Sequence, residues 1–367
     1  MSTRAVARVA LVGYGFGGST FHAPFIAAEP RLDLAYVVTA DPQRQRDALD
    51  RYPAVTVLAS FDELLGHIDA LDLVVISTPN ATHVTLATAV LSNALPVVVD
   101  KPVAPTSAEV ARLATLADTA GTVVVPFHNR RWDGDFRTVA ALLGAHELGT
   151  LHAFESRYER WQPELPSDPG RAWKRDATPA AAAGIVHDLG THLVDQAVVL
   201  FGRPAAVYAE VATRRPGATV DDDAFLALHH PEGPRVHLWA SAVAADRGPR
   251  FRLLGSTGAY TKAGMDVQEA ALIAGQMPAS ESWGEEPKAS WGHIDTGTSL
   301  REVRTRAGAY QYFYAGMAAF LCDGAPPPVD VADAVLAAEI IDAAYRSTRT
   351  GTVVALVSSE LRAQRTP

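Results

Sequence analysis

The sequence has a single cysteine, Cys322, and no long apolar run. One cysteine cannot form an internal disulfide, which excludes a disulfide-stabilised scaffold and fits a reducing compartment. No run approaches the roughly 18 apolar residues that a membrane helix needs. Low-complexity tracts and long blocks of like charge are also missing, so we expect the chain to fold throughout. These absences predict a globular, cytoplasmic protein.

Positive charge is also scarce. The formal net charge is −9, and no lysine and arginine cluster interleaved with aromatic residues offsets it. That balance has the wrong sign for a protein that binds a phosphate backbone, so we expect no nucleic-acid partner. The sequence also lacks the G-x-S-x-G and G-x-x-x-x-G-K-[ST] motifs, which removes the usual hydrolase and phosphoryl-transfer signatures.

The chain length of 367 residues predicts about two domains. From residue 7 to about 126, apolar strands alternate with helical segments, which is typical of a parallel sheet covered on both faces. The predicted strands are residues 9–12, 34–38, 55–58, 73–77, 96–99 and 122–125. Six such strands match a doubly wound α/β fold, so residues 1–126 are predicted to form a Rossmann dinucleotide-binding domain.

After about residue 126 the pattern changes to that of an α+β domain, predicted over residues 127–367 with a large, open, mostly antiparallel sheet. Its predicted strands are residues 151–158, 206–213, 224–229, 235–241 and 250–254, and its predicted helices are 137–143, 185–201, 310–321 and 330–346. Residues 266–306 lack clear periodicity, and we expect them to form a long surface excursion.

A glycine-rich loop follows the first predicted strand, with the sequence Gly13-Tyr14-Gly15-Phe16-Gly17-Gly18. Gly13, Gly15 and Gly18 have the G-x-G-x-x-G spacing, in which the chain turns tightly and the backbone approaches a pyrophosphate at a helix N-terminus. The alternative is a glycine-rich turn without a ligand. The flanking strand and helix favour the dinucleotide site.

The end of the second strand decides between the two nicotinamide cofactors. An acid there binds a ribose 2′-hydroxyl, whereas a basic residue binds a 2′-phosphate. Asp41 offers the acid, but it is equally placed to cap the helix that starts at Pro42. If Asp41 is the cap, Arg44 and Thr39 could receive a phosphate. The sequence therefore favours NADP slightly over NAD.

Lys101 follows a buried strand and precedes Pro102, so its ammonium group is expected at the edge of the sheet where ligands bind. A cation beside an alcohol that is being oxidised stabilises the developing alkoxide, and it can also bond the nicotinamide ribose. The alternative is a solvated loop lysine. The position at the end of a buried strand favours the catalytic interpretation.

Asp188 and His192 lie four residues apart in an apolar helix. That spacing puts a carboxylate and an imidazole on one helical face, where they can handle a proton. The alternative is a surface pair or a helix cap. His187 and His192 are five residues apart, unlike the i, i+4 histidines of a zinc motif, so we predict no metal. With the glycine loop and Lys101, this pair predicts a nicotinamide-dependent dehydrogenase.

These motifs together resemble the Gfo/Idh/MocA oxidoreductase family over nearly the whole chain. The matching segments are Gly13 to Gly18, Ser77-Thr78-Pro79-Asn80-Ala81-Thr82-His83, Asp100-Lys101-Pro102 and Asp188-x-x-x-His192. The chain is most similar to the branch of NADP-dependent scyllo-inositol dehydrogenases. That likeness lies in Phe21-His22-Ala23-Pro24, His128-Asn129-Arg130-Arg131-Trp132-Asp133, the segment from Asp188 to Gln196, and Trp283-Gly284-Glu285-Glu286-Pro287.

The resemblance implies roles for many single residues. The implied catalytic residues are Lys101, Asp188 and His192. The implied cofactor contacts are Gly13, Gly15, Phe16, Gly17, Gly18, Thr39, Asp41, Arg44, Ser77, Thr78, Pro79, Asn80, His83, Lys101, Pro102 and Asn129. A sugar needs several directional hydrogen bonds, and polar side chains that include Tyr158 and Trp173 could supply them. The predicted substrate contacts are Lys101, Asn129, Arg131, Tyr158, Trp173, Asp188 and His192. A homodimer or homotetramer formed through the sheet of the second domain is implied as well.

The expected reaction is hydride transfer between NAD(P) and a secondary alcohol of a cyclic polyol or sugar. A second interpretation keeps the chemistry but changes the substrate to an aldose, a glycoside or a dihydrodiol. A third is a non-catalytic sugar or nucleotide sensor on the same fold. The intact Lys101, Asp188 and His192 argue against the sensor.

Overall fold

A computed structural model describes residues 6–165, 181–278 and 282–356 of this chain. The chain divides into two compact units. The first comprises residues 1–134, 266–285 and 307–334, and the second comprises residues 135–265, 286–306 and 335–367. The first unit is therefore larger than the dinucleotide-binding domain predicted for residues 1–126.

The first unit contains a six-stranded parallel sheet with the order β3-β2-β1-β4-β5-β6. Its strands are β1 (Ala7–Val12), β2 (Leu32–Val38), β3 (Thr56–Leu58), β4 (Leu73–Ile76), β5 (Val97–Val99) and β6 (Val124–Pro126). All six predicted strands are present, and the Rossmann-type fold is confirmed. The strand order reverses between β1 and β4, which is where doubly wound sheets bind ligands.

Helices connect these strands: α1 (Ala23–Ala28), α2 (Pro42–Arg51), α3 (Phe61–Leu65), α4 (His83–Leu91) and α5 (Ser107–Thr119). Thr106 caps α5, since its Oγ1 accepts a hydrogen bond from the Glu109 N–H at 3.3 Å. Asp41 caps α2 in the same way. The sequence analysis gave the cap as one of two roles for Asp41, and both caps form because short polar side chains satisfy the N–H groups that a first helical turn leaves without partners.

The second unit contains a nine-stranded sheet with the order β14-β13-β12-β11-β7-β10-β9-β8-β15. Among the strands that the structure describes here, only β7 and β10 pair in parallel, so the prediction of a mostly antiparallel sheet is confirmed. The strands are β7 (Leu151–Glu159), β8 (Ala206–Ala212), β9 (Asp223–His229), β10 (Arg235–Ser241), β11 (Phe251–Gly255), β12 (Ala259–Lys262), β13 (Gly292–Asp295), β14 (Leu300–Val303) and β15 (Val354–Ala355).

Helices α6 (Gly134–Gly144) and α7 (Thr191–Phe201) correspond to the predicted helices 137–143 and 185–201. Leu193 of α7 shares a core with Phe154 of β7 and Leu238 of β10, and all three side chains are buried. This packing matters for function because α7 carries His192. Within the described residues, no helix is long and apolar enough to cross a membrane.

The segment 266–306 is not simply the long surface excursion that we expected. It contains α8 (Gln268–Ile273) as well as β13 and β14, and it is followed by α9 (Gln311–Asp323) and α10 (Val331–Thr350). Gln268 is fully buried, and its Oε1 accepts hydrogen bonds from the Trp283 indole N–H at 3.1 Å and the Tyr310 N–H at 2.9 Å. The prediction failed because a buried amide organises this segment, and an amide leaves no apolar periodicity in the sequence.

Candidate active site

The glycine-rich loop adopts a conformation that excludes side chains at two positions. Gly13 has a φ of +99°, and a Cβ atom there would lie 2.2 Å from the Ser77 carbonyl oxygen. A Cβ atom on Gly18 would lie 2.0 Å from the Gly13 carbonyl oxygen. At Gly15 the nearest atom would be an Arg44 guanidinium nitrogen 3.6 Å away. The first and third glycines of the motif therefore shape the turn, and the second keeps the backbone approachable.

The sheet register places several predicted cofactor loops side by side. Val12 of β1 pairs with Val38 of β2 and with Ile76 of β4, and Ile76 pairs with Val99 of β5. The residues that follow these strand ends are Gly13, Thr39, Ser77 and Asp100. They share the carboxyl edge of a parallel sheet, which is the edge where such sheets bind ligands.

His83 joins two of these loops. Its ring is fully buried, with Nδ1 2.9 Å from the Pro102 carbonyl oxygen and Nε2 2.9 Å from the Thr78 carbonyl oxygen. The Lys101–Pro102 peptide bond is cis. His83, which the resemblance implied as a cofactor contact, thus bridges the backbone beside Lys101 and the loop after β4. Pro79 and the short turn Asn80–Thr82 lie between Thr78 and His83 in the sequence.

In the loop after β2, both carboxylate oxygens of Asp41 lie close to groups of the helix that follows. One oxygen, Oδ1, accepts hydrogen bonds from the Gln43 N–H at 2.8 Å and the Arg44 N–H at 3.2 Å, and these bonds lower the pKa of Asp41. The other, Oδ2, lies 3.7 Å from Nε of Arg44. Thr39 is buried, and its Oγ1 accepts a bond from the Asp41 N–H at 3.4 Å. Asp41 is therefore engaged as a cap, while the Arg44 guanidinium lies next to Gly15.

Two further predicted residues lie in a short helical turn after β6, Asn129–Trp132. Asn129 is buried. Arg131 forms an ion pair with Asp333, with 2.9 Å between the guanidinium and the carboxylate, and its side chain is 13% exposed. The sequence did not predict this partner. That Arg131 contacts the substrate stays a prediction, and such a contact would have to coexist with the ion pair to Asp333.

In the second unit, Asp188 lies in a π-helical turn, Val186–Gly190, that leads into α7. The sequence predicted one continuous α-helix over residues 185–201, so the π turn is a correction. The wider turn arises where the chain enters the helix beyond Gly184, whose φ is +107°. Such turns are rare and occur frequently at functional sites. His192 is 5% exposed within the first turn of α7.

Tyr158 lies beside His192, and the role of both residues as substrate contacts stays a prediction. The two rings are stacked, with centroids 6.4 Å apart and planes inclined by 30°. Arg160 donates a hydrogen bond to the Tyr158 hydroxyl at 2.8 Å. Trp173, the remaining predicted substrate contact, lies outside the described residues.

Asp221 and Tyr345 support the turn that carries Asp188, and sequence reasoning missed both. The Asp221 carboxylate accepts hydrogen bonds from the Val186 N–H at 2.9 Å and from the Tyr345 hydroxyl at 2.9 Å. The Tyr345 hydroxyl also lies 3.1 Å from Nδ1 of His187. Burial raises the pKa of Tyr345, so the phenol stays protonated and can donate. Gly184 is required here, because a Cβ atom would lie 2.2 Å from Asp221 Oδ1.

Arg250 fixes α7 to the sheet. Its buried guanidinium donates hydrogen bonds to Gln196 Oε1 of α7 at 2.7 Å and to Ser156 Oγ of β7 at 2.5 Å. A carboxylate oxygen of Asp135, also buried, lies 3.5 Å from Arg250 Nε. A buried arginine needs this degree of pairing, because an uncompensated charge inside a protein is costly. The helix that carries His192 is thus held at its polar residue Gln196.

Lys101 belongs to the first unit, whereas Asp188 and His192 belong to the second. Their convergence on one substrate stays a prediction, as does self-association through the nine-stranded sheet. Among the described residues, no group of three or more histidine, cysteine, aspartate or glutamate side chains could hold a metal ion.

Family models match both parts of the chain. Residues 7–128 match a model described as an oxidoreductase family with an NAD-binding Rossmann fold. Residues 136–261 match the GFO/IDH/MocA C-terminal domain. The two models together span the glycine loop, Lys101, Asp188 and His192.

Three individual proteins illustrate the similarity. An uncharacterized oxidoreductase of Escherichia coli K12, YdgJ, is 36% identical over 93% of this chain and 96% of its own length. The scyllo-inositol 2-dehydrogenase (NADP(+)) IolW of Bacillus subtilis is 29% identical over 93% of this chain and 94% of its own. A solved structure of an oxidoreductase from Bacillus cereus superimposes with a TM-score of 0.83 at 27% identity, covering 96% of this chain and 99% of that one.

Proposed function

The chain belongs to the Gfo/Idh/MocA family of oxidoreductases, and from that premise we propose that it is an NAD(P)-dependent dehydrogenase. The proposed substrate is a secondary alcohol of a cyclic polyol or sugar, such as an inositol. The observation that carries the proposal is the shared edge of the first sheet. The glycine loop follows β1, and Lys101 lies in the loop that follows β5. Both loops lie at the same edge because β1 and β5 both pair with β4. The similarity to an inositol dehydrogenase supports the substrate class.

The residues at this edge fit a dinucleotide. Gly13 and Gly18 leave no space for side chains, so the backbone itself forms the surface of the loop that a pyrophosphate would meet. Residues 13–18 would hold the pyrophosphate, and Thr39, Asp41 and Arg44 would adjoin the adenosine ribose. The bound nicotinamide would accept the hydride.

We propose a division of labour among three side chains. Lys101 stabilises negative charge that develops on the alcohol oxygen, and His192 accepts the hydroxyl proton. Asp188 bonds a neighbouring hydroxyl and orients the imidazole. As the O–H bond breaks, its electron pair forms the carbonyl π bond and the C–H electron pair departs as hydride. The alcohol becomes a ketone.

NADP is the favoured cofactor. The Asp41 carboxylate oxygen Oδ1 is already occupied by two backbone N–H donors, which disfavours its use by a ribose 2′-hydroxyl. The Arg44 guanidinium lies beside the glycine loop, where a cation suits a 2′-phosphate.

Arg44→Gln tests this preference. We expect the dissociation constant for NADP to rise by about 10- to 100-fold, because a charged hydrogen bond to phosphate is lost, while NAD binding changes little. Arg46→Gln is the matched control, since Arg46 lies on the same helix and is exposed. Isothermal titration with each dinucleotide gives the comparison. Equal weakening of NAD and NADP would show that Arg44 does not contact a 2′-phosphate.

A panel of alcohols tests the function itself. The purified protein is incubated with NADP or NAD and with inositols, aldoses, glycosides or dihydrodiols, and reduction is followed by nicotinamide absorbance. We expect the highest kcat/KM with an inositol. Preference for an aldose, glycoside or dihydrodiol would keep the dehydrogenase and reject the substrate class. Dinucleotide binding without turnover on any compound would favour a sensor.

A further inference from the structure

His22 is a buried histidine that the proposed reaction does not use. It ends a π-helical turn, Gly18–His22, that begins at the last glycine of the loop. Its ring is fully buried and packs on Phe127, with 4.0 Å between the ring centroids. A buried imidazole needs partners for its polar atoms, so the neighbours of its two nitrogens reveal what the residue does.

The two nitrogens face different groups. Nδ1 lies 2.6 Å from the Tyr314 hydroxyl, and Nε2 lies 3.5 Å from Oδ2 of Asp100. Burial and the negative charge of Asp100 raise the pKa of Tyr314, so the phenol keeps its proton. The arrangement in which Tyr314 donates to Nδ1 leaves the ring proton on Nε2, facing the carboxylate. The opposite tautomer would turn a lone pair toward a negative charge.

Asp100 is an ionised group at the centre of the cofactor loops. Its Oδ1 accepts a hydrogen bond from the Lys101 N–H at 2.8 Å, and its Oδ2 accepts one from the Ser77 hydroxyl at 3.1 Å. Burial by itself raises the pKa of Asp100. The opposing effect of His22, Lys101 and His83 is larger, so the pKa falls to about 2. The group is therefore a carboxylate at neutral pH.

The Asp100 carboxylate also restricts the space for a side chain at Gly17 of the glycine loop. A Cβ atom on Gly17 would lie 2.6 Å from Ser77 Oγ and 3.1 Å from Asp100 Oδ2. Asp100 thus bonds residues that follow β4 and β5 and lies beside Gly17 of the loop after β1, so we expect a shift of its carboxylate to disturb all three loops.

We propose that His22 is a positioning residue: held by Tyr314, its ring fixes the Asp100 carboxylate and, through it, the Lys101 loop and the glycine loop. The proposal rests on the proposed function only where turnover is the readout. A histidine that merely fills the core would affect stability alone, whereas a positioning histidine also affects dinucleotide affinity and kcat.

The ring tautomer is the first test, and it needs neither substrate nor cofactor. Nitrogen-15 shifts are measured on protein with labelled histidine, and the His22 signals are identified by their absence from His22→Phe. We expect a protonated Nε2 and an unprotonated Nδ1 near neutral pH, and loss of this fixed tautomer in Tyr314→Phe. Protonation of Nδ1 with a bare Nε2 would overturn the proposal.

The second test compares two tyrosines of the first unit. Tyr314→Phe removes the hydroxyl that holds His22. Tyr52→Phe is the matched control, because the Tyr52 hydroxyl is buried and makes no hydrogen bond within the described residues. For Tyr314→Phe we expect NADP affinity to fall about fivefold, the effect of one lost hydrogen bond. We expect kcat on the best alcohol to fall about tenfold, with KM nearly unchanged, because Lys101 acts on the transition state.

The outcomes separate the two proposals. If Tyr314→Phe matches Tyr52→Phe in NADP affinity and in kcat, His22 does not position the loops, whatever the change in unfolding midpoint. If the wild-type protein turns over no alcohol, the proposed function fails. In that case the tautomer and the NADP affinity still decide the role of His22.

Discussion

We expect Lys101→Ala to lower kcat by about a thousandfold while NADP still binds, because the variant removes a cation that acts where charge develops. Lys101 follows β5, and its backbone is held by Asp100 and, through the Pro102 carbonyl, by His83. Truncating the side chain leaves both anchors in place. The loss should therefore appear in the chemical step and much less in dinucleotide affinity.

His192→Ala should lower kcat by about 100- to 10,000-fold, since it removes the proposed general base. Two exposed residues serve as controls in the same assay. Lys288→Ala removes an exposed lysine paired with Glu302, and His229→Ala removes an exposed histidine at the end of β9. Stopped-flow absorbance gives turnover, and titration calorimetry gives NADP affinity. Wild-type turnover in both Lys101→Ala and His192→Ala would remove the catalytic assignment.

Gly13→Ala should abolish measurable dinucleotide binding or weaken it by at least about 100-fold. The new Cβ would meet the Ser77 carbonyl oxygen at 2.2 Å and the Ser77 carbonyl carbon at 2.7 Å, and backbone atoms of a buried sheet edge cannot move aside cheaply. The loop must shift instead. Because the proposed dinucleotide contacts this backbone directly, a displaced loop loses the site.

Gly121→Ala is the matched control for this substitution. Gly121 also has a positive φ, +66°, but nothing lies within 4 Å of a Cβ atom there. It should cost about 1–2 kcal/mol of unfolding free energy for the left-handed conformation and leave NADP affinity unchanged. Urea unfolding and calorimetry on both variants isolate the contact at Gly13. If Gly13→Ala binds NADP as Gly121→Ala does, the loop is not the dinucleotide site.

The elements that sequence patterning located well are those specified by neighbours along the chain. The six strands of the first sheet are short apolar runs, the glycine spacing lies within Gly13 to Gly18, and Asp41 and Thr106 cap the helices that directly follow them. Each signal depends on backbone geometry or burial over a few residues, so an isolated segment already contains it.

Other features depended on residues distant in sequence. The π turn at Asp188 is supported by Asp221 and Tyr345. Asp221 lies 35 positions from Val186, whose N–H it accepts, and Tyr345 lies 124 positions from Asp221. Tyr314 meets His22 across 292 positions. Such hydrogen bonds leave no periodic trace, and therefore neither Tyr345 nor Tyr314 stood out in the sequence.

The sequence by itself determined the Rossmann-type sheet, its ligand-binding edge and the residue types offered there, because short-range sterics, capping and burial specify them. Only the tertiary structure decided that Gln268 draws residues 266–285 into the first unit and that Asp100 bonds the residues that follow two strand ends. Those outcomes follow from buried polar groups finding partners far along the chain, where the free energy of leaving them unpaired selects one arrangement.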